Sequence, residues 1–545
     1  MLRRSLIAAL AAALLTAGPA TSAGYTAPAG SGALFLFSGH GWGHGVGMSQ
    51  YGAYGYAQHG WTYDRILAHY YPGTTLGRAP VSTIRVLLAD RQKTLKISSA
   101  EPPLLTDGLG AVHTLAATTV KLGVGLKLAV DGQPAQSLPP PLTFAPADGA
   151  TLALGRSYRG RIVVDVVDGR LRAIGVVGLE QYLDGVVPAE MPSTWSTEAL
   201  EAQAVAARSY ALATRQVAAP FDVYADSRSQ LYLGVGAERP ATSAAVAATA
   251  GQVLYYGTTI ATTYFSSTSG GRTEAAADVF RGQSLPYLVS VPDPYDAISP
   301  FHDWGPVPVT ARTIAQRLKV PDRIVDARTT LNQAGRVATL DVSSLQGTKP
   351  AAVTSVSGTV ARSKLGLRST WFDVGVLALL PPTKTAPVPI GTTVRLSGLV
   401  RGVDGVVLEQ RTAHLRWQTL APVQPEAGGA ITVVAKPSIT TDYRLATSAA
   451  AAAYVRIRVT PRVTIAAATR STVSGTAQPA LPGATVVIQQ PDPSGGTAWT
   501  TVGRGTVDAG GAFSVPVSLT PGRVRAVVAP GHGYWPGASP AATVA

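Results

Sequence analysis

Apolar and polar positions change period several times along this chain. ALFLF (33–37) is apolar at every position, whereas VSTIRVLLAD (81–90) and SYRGRIVVDVV (157–167) alternate. Alternation with a period of two predicts strands. Between the last two, short apolar runs broken by Gly and Pro predict a β-rich insertion over about 80–170. One segment has the helical period: in LEAQAVAARSYALA (200–213), Leu200, Ala204, Ala207 and Ala211 fall on one stripe. Ser196 is placed to cap that helix, and Glu198 suits its positive end. ILAHYYPGT (66–74) reads as a helix end running into a Pro-Gly turn, with Tyr70 and Tyr71 as packing residues.

Past PPTKTAPVPIG (381–391) the pattern is short alternating strands only. Its prolines predict a linker over 377–391. The region beyond repeats itself: Leu396-Ser397-Gly398 returns as Val473-Ser474-Gly475, Trp417-Gln418-Thr419-Leu420 as Trp499-Thr500-Thr501-Val502, and Gly428-Gly429-Ala430 as Gly510-Gly511-Ala512. Two all-β copies of about 80 residues each, 392–460 and 461–545, are expected as immunoglobulin-like sandwiches that space or bind. Neither contains a catalytic cluster.

Residues 1–23 carry Arg3 and Arg4, a short apolar run and a small-residue end, the pattern of a secretory signal peptide too short to span a bilayer. No later run is long and apolar enough to suggest a span, so an exported, cell-wall-associated or extracellular protein is expected. The chain has no cysteine, which excludes disulfides and thiol chemistry. Its formal charge is +14, which would draw it to anionic wall polymers. Basic residues form no run interleaved with aromatics, so nucleic acid is not expected as a partner.

Glu190 is the single carboxylate in VVPAEMPSTW (186–195). Apolar neighbours make its ionisation costly, which would raise its pKa and make it a general-acid candidate. A solvated glutamate at a loop edge is the other reading. GHGWGHGVGMSQYG (39–52) holds six glycines in fourteen residues, too many for a stable helix. His40 and His44 therefore lack the helical spacing of a zinc motif, and no Lys-Ser or Lys-Thr pair ends the run as a phosphate loop would. It reads either as a structural turn with satisfied histidines or as a carbohydrate-lining loop in which His40, Trp42, His44 and Gln50 meet substrate.

Together, VVPAEMPSTW with LEAQAVAARSYALA, QLYLG (230–234), YFSSTSGGRTE (264–274), SLPYLVSVPDPYD (284–296), LGLRSTWF (365–372) and the glycine-histidine segment resemble the stage II sporulation protein D / LytB (SpoIID/LytB) family of bacterial cell-wall proteins. The resemblance covers nearly all of 32–376. It implies an α+β, β-rich domain there, with the two distal β modules following. It further implies a peptidoglycan lytic transglycosylase needing no cofactor, in which Glu190 matches the catalytic glutamate and Arg208 an arginine the family needs. Glycan strands are the implied substrate. An enhancer or scaffold of a muramoyl-alanine amidase is the implied alternative. Gln230, Ser266, Ser267, Gly270, Gly271 and Arg272 fall on matched motifs as candidate cleft residues. Two departures stand out. Some members bind zinc through Cys and His just before the QxYxG motif, but DVYADSRSQLYLG (222–234) has neither, so no metal is expected. The glycine-histidine segment usually comes last and here comes first, a permuted order that requires ALFLF to lie beside RSTWFDVGV (368–376).

Overall fold

The structure is a computed structural model that describes residues 25–26, 32–280, 284–346, 349–382, 386–412, 415–492, 498–531 and 533–544. The leader expected over 1–23 lies outside them. The chain is strand-rich with few helices.

A five-stranded antiparallel sheet occupies the middle, in the order Asp303–Thr310, Leu34–His40, Phe372–Leu379, Val394–Arg401, Ala430–Ala435. ALFLF is apolar throughout because its strand is covered on both faces. Phe35 and Phe37 enter a core with Trp304, Ile314 and Val376, while Leu34 and Leu36 enter another with Leu377, Leu379 and Leu396. The neighbour expected of ALFLF is present: Phe35 pairs with Val376 and Phe37 with Val374.

That sheet also crosses the segment expected to be a linker. Phe372–Leu379 runs three residues into 377–391 and pairs beyond it with Val394–Arg401, Leu377 facing Val400. Proline does separate the two strands in sequence, yet the leucines on either side share one core. The reason is periodicity: Leu377 and Leu379 project to the face opposite Val376, and only the distal strands can cover them.

The distal repeat occupies equivalent places. Val394–Arg401 pairs with Ala430–Ala435, and Thr472–Gln478 with Ala512–Pro516. The hairpin Val407–Thr412/Gln418–Pro422 corresponds to Thr485–Pro491/Trp499–Thr506. The second copy has a core of its own, built around Val473, Val486, Ile488, Phe513, Val524 and Val528.

Residues 83–178 form the expected β-rich region, supplying a four-stranded sheet and six strands of a seven-stranded one, completed by Val223–Tyr224, around Leu105, Phe144 and Leu171. Its strand Arg170–Gly178 pairs with Thr83–Gln92 and runs straight into the helix Leu179–Asp184. The turn Val187–Glu190 follows. The long helix Thr197–Ala213 differs from the single-stripe expectation. Leu200, Ala202, Val205 and Ala206 face one core, and Ala204, Ala207 and Ala211 another. Alanine all round its circumference lets it run between two cores. Ser196 makes no side-chain cap bond. Glu198 instead accepts from the backbone N–H of Tyr63 (2.6 Å), at the start of the helix Tyr63–Tyr70.

Ending the chain at residue 382 should uncover Leu34, Leu36, Leu377 and Leu379, each worth about 1.5–3 kcal/mol when fully buried. The expected outcome is a lower unfolding temperature and association in size-exclusion chromatography. A chain ending at 460 keeps that core and should remain monodisperse.

Candidate active site

Glu190 closes the turn Val187–Glu190, with Pro188 in its first positions. The side chain is only part-exposed, and loss of water pushes its pKa from 4.5 up to about 7. Two donors pull the other way: the Gln50 amide, whose Nε2 lies 3.4 Å from Oε2, and the backbone N–H of Leu231. No carboxylate is among the groups that shift it. Tyr182 and Tyr210 stand close enough to feel its charge, their phenols raised mainly by their own burial. An acid half protonated near neutral pH can both give and take a proton.

Gln50 is the predicted side chain that bonds this acid, and Gln230 adjoins it only through the neighbouring Leu231 N–H. Gln230 is buried, accepts from the Tyr182 hydroxyl (3.3 Å) and precedes Leu231. Gln203 is a residue that the sequence does not single out. It is fully buried, seven residues before Tyr210 and so on the same helix face, and neither of its amide atoms has a protein partner among the described residues.

The glycine-histidine segment is partly helical after all, since the helix Gln50–Gln58 starts inside it. Ser49 supplies the start signal: its Oγ accepts from Gly52 N (3.1 Å). Glycine here admits the protein's own atoms. A Cβ on Gly52 would lie 2.1 Å from the Tyr70 hydroxyl and 2.4 Å from both Asp293 oxygens, and one on Gly47 would lie 2.0 Å from the Tyr264 carbonyl. His40 Nδ1 lies 2.6 Å from Asp303 Oδ1 at the surface, and Trp42 packs edge-on to Phe301 with Arg368 over its ring. His44 is held neutral, its pKa drawn down to about 3 by burial and by Arg362 and Arg336, and its Nδ1 accepts from Val46 N (3.0 Å). None of these three hydrogen-bonds Glu190.

The matched 264–274 segment lies along the same turn. Ser266 Oγ accepts from Gly45 N (3.3 Å), the Ser267 carbonyl from Tyr51 N (3.0 Å), and the Arg272 carbonyl from Arg336 (3.0 Å). Gly270 N donates to Asp296 (2.9 Å) and Gly271 N to Ser269 Oγ (3.1 Å). These bonds lead to two buried acids not singled out from sequence, although both lie in the quoted SLPYLVSVPDPYD. Asp293 accepts from Tyr70 (2.8 Å) and Ser269 (2.7 Å); Asp296 accepts from Ser49 Oγ (2.6 Å), Ser269 N (2.9 Å) and Gly270 N (2.9 Å), with His302 Nδ1 at 3.1 Å. Burial, then the neighbouring Asp296, pushes Asp293 up to about 7.

Arg208 is fully buried. Its guanidinium forms a two-point pair with Glu180 and donates to the carbonyls of Gln252 (3.0 Å) and Val246 (3.3 Å). Those bonds tie the long helix to its neighbours, which makes Arg208 a positioning residue. The stretch 222–234 uses its acids on arginines, Asp222 with Arg85 and Asp226 with Arg228. A cavity of about 750 Å³ lies elsewhere, lined by Ala315, Ile324, Leu379, Val455 and Ile457 among others, and none of the residues around Glu190 lines it.

Strand-rich architecture with a sheltered lone acid at the head of a buried alanine helix defines the class of site. Residues 167–256 match the SpoIID family model, described as stage II sporulation protein. The chain is 32% identical over 217 residues to stage II sporulation protein D of Bacillus subtilis (strain 168), covering 36% of this chain and 60% of that one. It is 40% identical over 114 residues to the amidase enhancer of the same organism (21% and 15%), and 36% identical over 153 residues to an uncharacterized protein of Brachyspira hyodysenteriae (28% and 41%). It thus spans between 15% and 60% of the length of these relatives. What the chain shares with the SpoIID/LytB family is this region, in which residues 167–256 match the family model.

Replacing Arg208 with Met should destabilise the protein by about 2–3 kcal/mol in denaturant unfolding, less than for a fully buried pair because Glu180 stays part-exposed. A second expectation concerns pH. Folded Asp293 keeps a proton that an unfolded aspartate, with a pKa near 3.8, has released, so stability should fall as pH rises from about 4 to 7. Glu190 acts in the same direction, and His44, neutral in the fold where an unfolded imidazole is charged below about 6.5, offsets part of the fall. Thermal unfolding across that range should show the fall, and Asp293→Asn should flatten it.

Proposed function

We propose that this protein is an exported peptidoglycan lytic transglycosylase in which Glu190 is the single acid/base. The observation that carries the reading is a carboxyl held near pH 7 by loss of water, with no second carboxylate among the groups acting on it. Protonated Glu190 gives its proton to the glycosidic oxygen between N-acetylmuramic acid and N-acetylglucosamine. The 6-hydroxyl of the muramic sugar then closes on the anomeric carbon, the emerging carboxylate takes that hydroxyl's proton, and a 1,6-anhydro end results. A glycosidase that uses water needs a second carboxylate at a set separation; an internal nucleophile does not. Gln50 and Gln230 flank the acid, and Trp42 and His40 lie further along the turn as sugar contacts. The domain has the family's parts in permuted order, a reading supported by the pairing of Leu34–His40 with Phe372–Leu379. The distal copies are immunoglobulin-like modules that hold the enzyme at the wall, assisted by its positive charge.

A second reading is favoured by one relative, the amidase enhancer: this chain would then promote a separate amidase without cleaving glycan. Purified protein incubated with denuded glycan strands should yield anhydro-muramic ends by mass spectrometry, and Glu190→Gln should reduce the rate by about 10²–10⁴-fold. Rate should decline as pH rises above about 7, where Glu190 loses its proton. Equal product from both proteins removes Glu190 as the acid, and no product from either favours the enhancer.

A further inference from the structure

Gln50 is the first residue of its helix, and a long flexible side chain reaches a carboxylate reliably only if its backbone is fixed. The residue before it does the fixing. Ser49 Oγ accepts from Gly52 N (3.1 Å) and donates to Asp296 Oδ1 (2.6 Å), so one hydroxyl both starts the helix and anchors it. Asp296 is fully buried and holds the adjoining chain through Ser269 N and Gly270 N. Ser49 is buried as well, and its strand Met48–Ser49 is paired with Phe265–Ser266.

We propose that Asp296 and Ser49 are positioning residues for Glu190: their hydrogen bond sets the start of the Gln50–Gln58 helix so that the Gln50 amide meets the Glu190 carboxylate. The inference rests on Glu190 as the reacting acid. The groups facing Glu190 are Gln50 from its helix, the Leu231 N–H, and the phenols of Tyr182 and Tyr210 from two others. No cation is among them, so the two N–H donors are what favours its charged form. Around Asp296 stand Asp293, His302, Ser49 and Ser269, with Tyr70 bonded to Asp293; the Arg336 guanidinium, which donates to the Ser269 carbonyl, is close enough to feel the charge of Asp296. Withdrawing Ser49 from that cluster should therefore be felt at Glu190 as a weaker Gln50 bond.

The test is the titration of Glu190 itself, followed by NMR on protein carrying ¹³C in the glutamate carboxyls. With nine glutamates in the chain, Glu190→Gln identifies the signal. Gln50→Ala removes the bond directly and should move the midpoint up by about one pH unit. Ser49→Ala should move it in the same direction, and Ser49→Thr, which keeps the hydroxyl, should leave it near the wild-type value. Ser49→Gly loses the hydroxyl at a cap position that glycine tolerates, and carries the same expectation should the alanine variant not fold. A wild-type midpoint in either folded variant lacking the hydroxyl, or in Gln50→Ala, overturns the proposal. Because the readout is not turnover, failure to cleave glycan would remove the transglycosylase reading and leave this coupling intact. An unmoved midpoint with normal cleavage would do the reverse.

Discussion

Two oxygens of Asp296 organise the site. They receive a serine hydroxyl and two backbone N–H groups from segments more than two hundred residues apart in sequence, and the His302 ring stands against them. A buried carboxylate is tolerated when its lone pairs are filled, and here each donor also fixes a piece of chain. Asp293 beside it keeps its proton to higher pH, first because it is buried away from water and then because Asp296 stands against it. The two acids thus divide the labour: one is filled with donors, the other is held close to neutral.

Glu190 obeys the same electrostatics with fewer donors. Gln50 and the Leu231 N–H offset only part of its lost hydration, so its proton is retained to about pH 7. An arginine in the same place would have paired with it and pulled its pKa down. Arg208 is instead engaged by Glu180 and two carbonyls, which neutralises its charge while securing the long helix. Rigid support and an unpaired acid are compatible because the charge doing the supporting already has its partner.

Much of this is legible in the residues. ALFLF can be read as a strand from its apolar run, while its partner is named only through the permuted order that the family resemblance implies. Glu190 stands out because it is alone among apolar neighbours. The helix at 200–213 is visible, but its environment is not: alanine is compatible with one buried face or with all of them, and only the packing of Ala204 and Ala206 against different cores decides. The prolines after residue 380 signal an interruption of the strand, which is local, whereas the sheet that continues across it depends on Leu377 meeting Val400, which is not.

The glycine-histidine segment is the hardest to read, and for a physical reason. Glycine marks places where something approaches the backbone closely, but sequence does not say whether that something is a ligand or the protein. At Gly47 and Gly52 it is Tyr264, Tyr70 and Asp293. Those close approaches bring the start of the Gln50 helix onto the acid pair, so the glycines serve Glu190 at one remove. The histidine that a metal or proton-transfer reading would favour, His44, is neutral well below physiological pH and has its Nδ1 engaged by its own turn. In the proposed mechanism the proton transfers therefore fall to one carboxyl, Glu190, and the Gln50 amide and the Leu231 N–H set how readily it ionises.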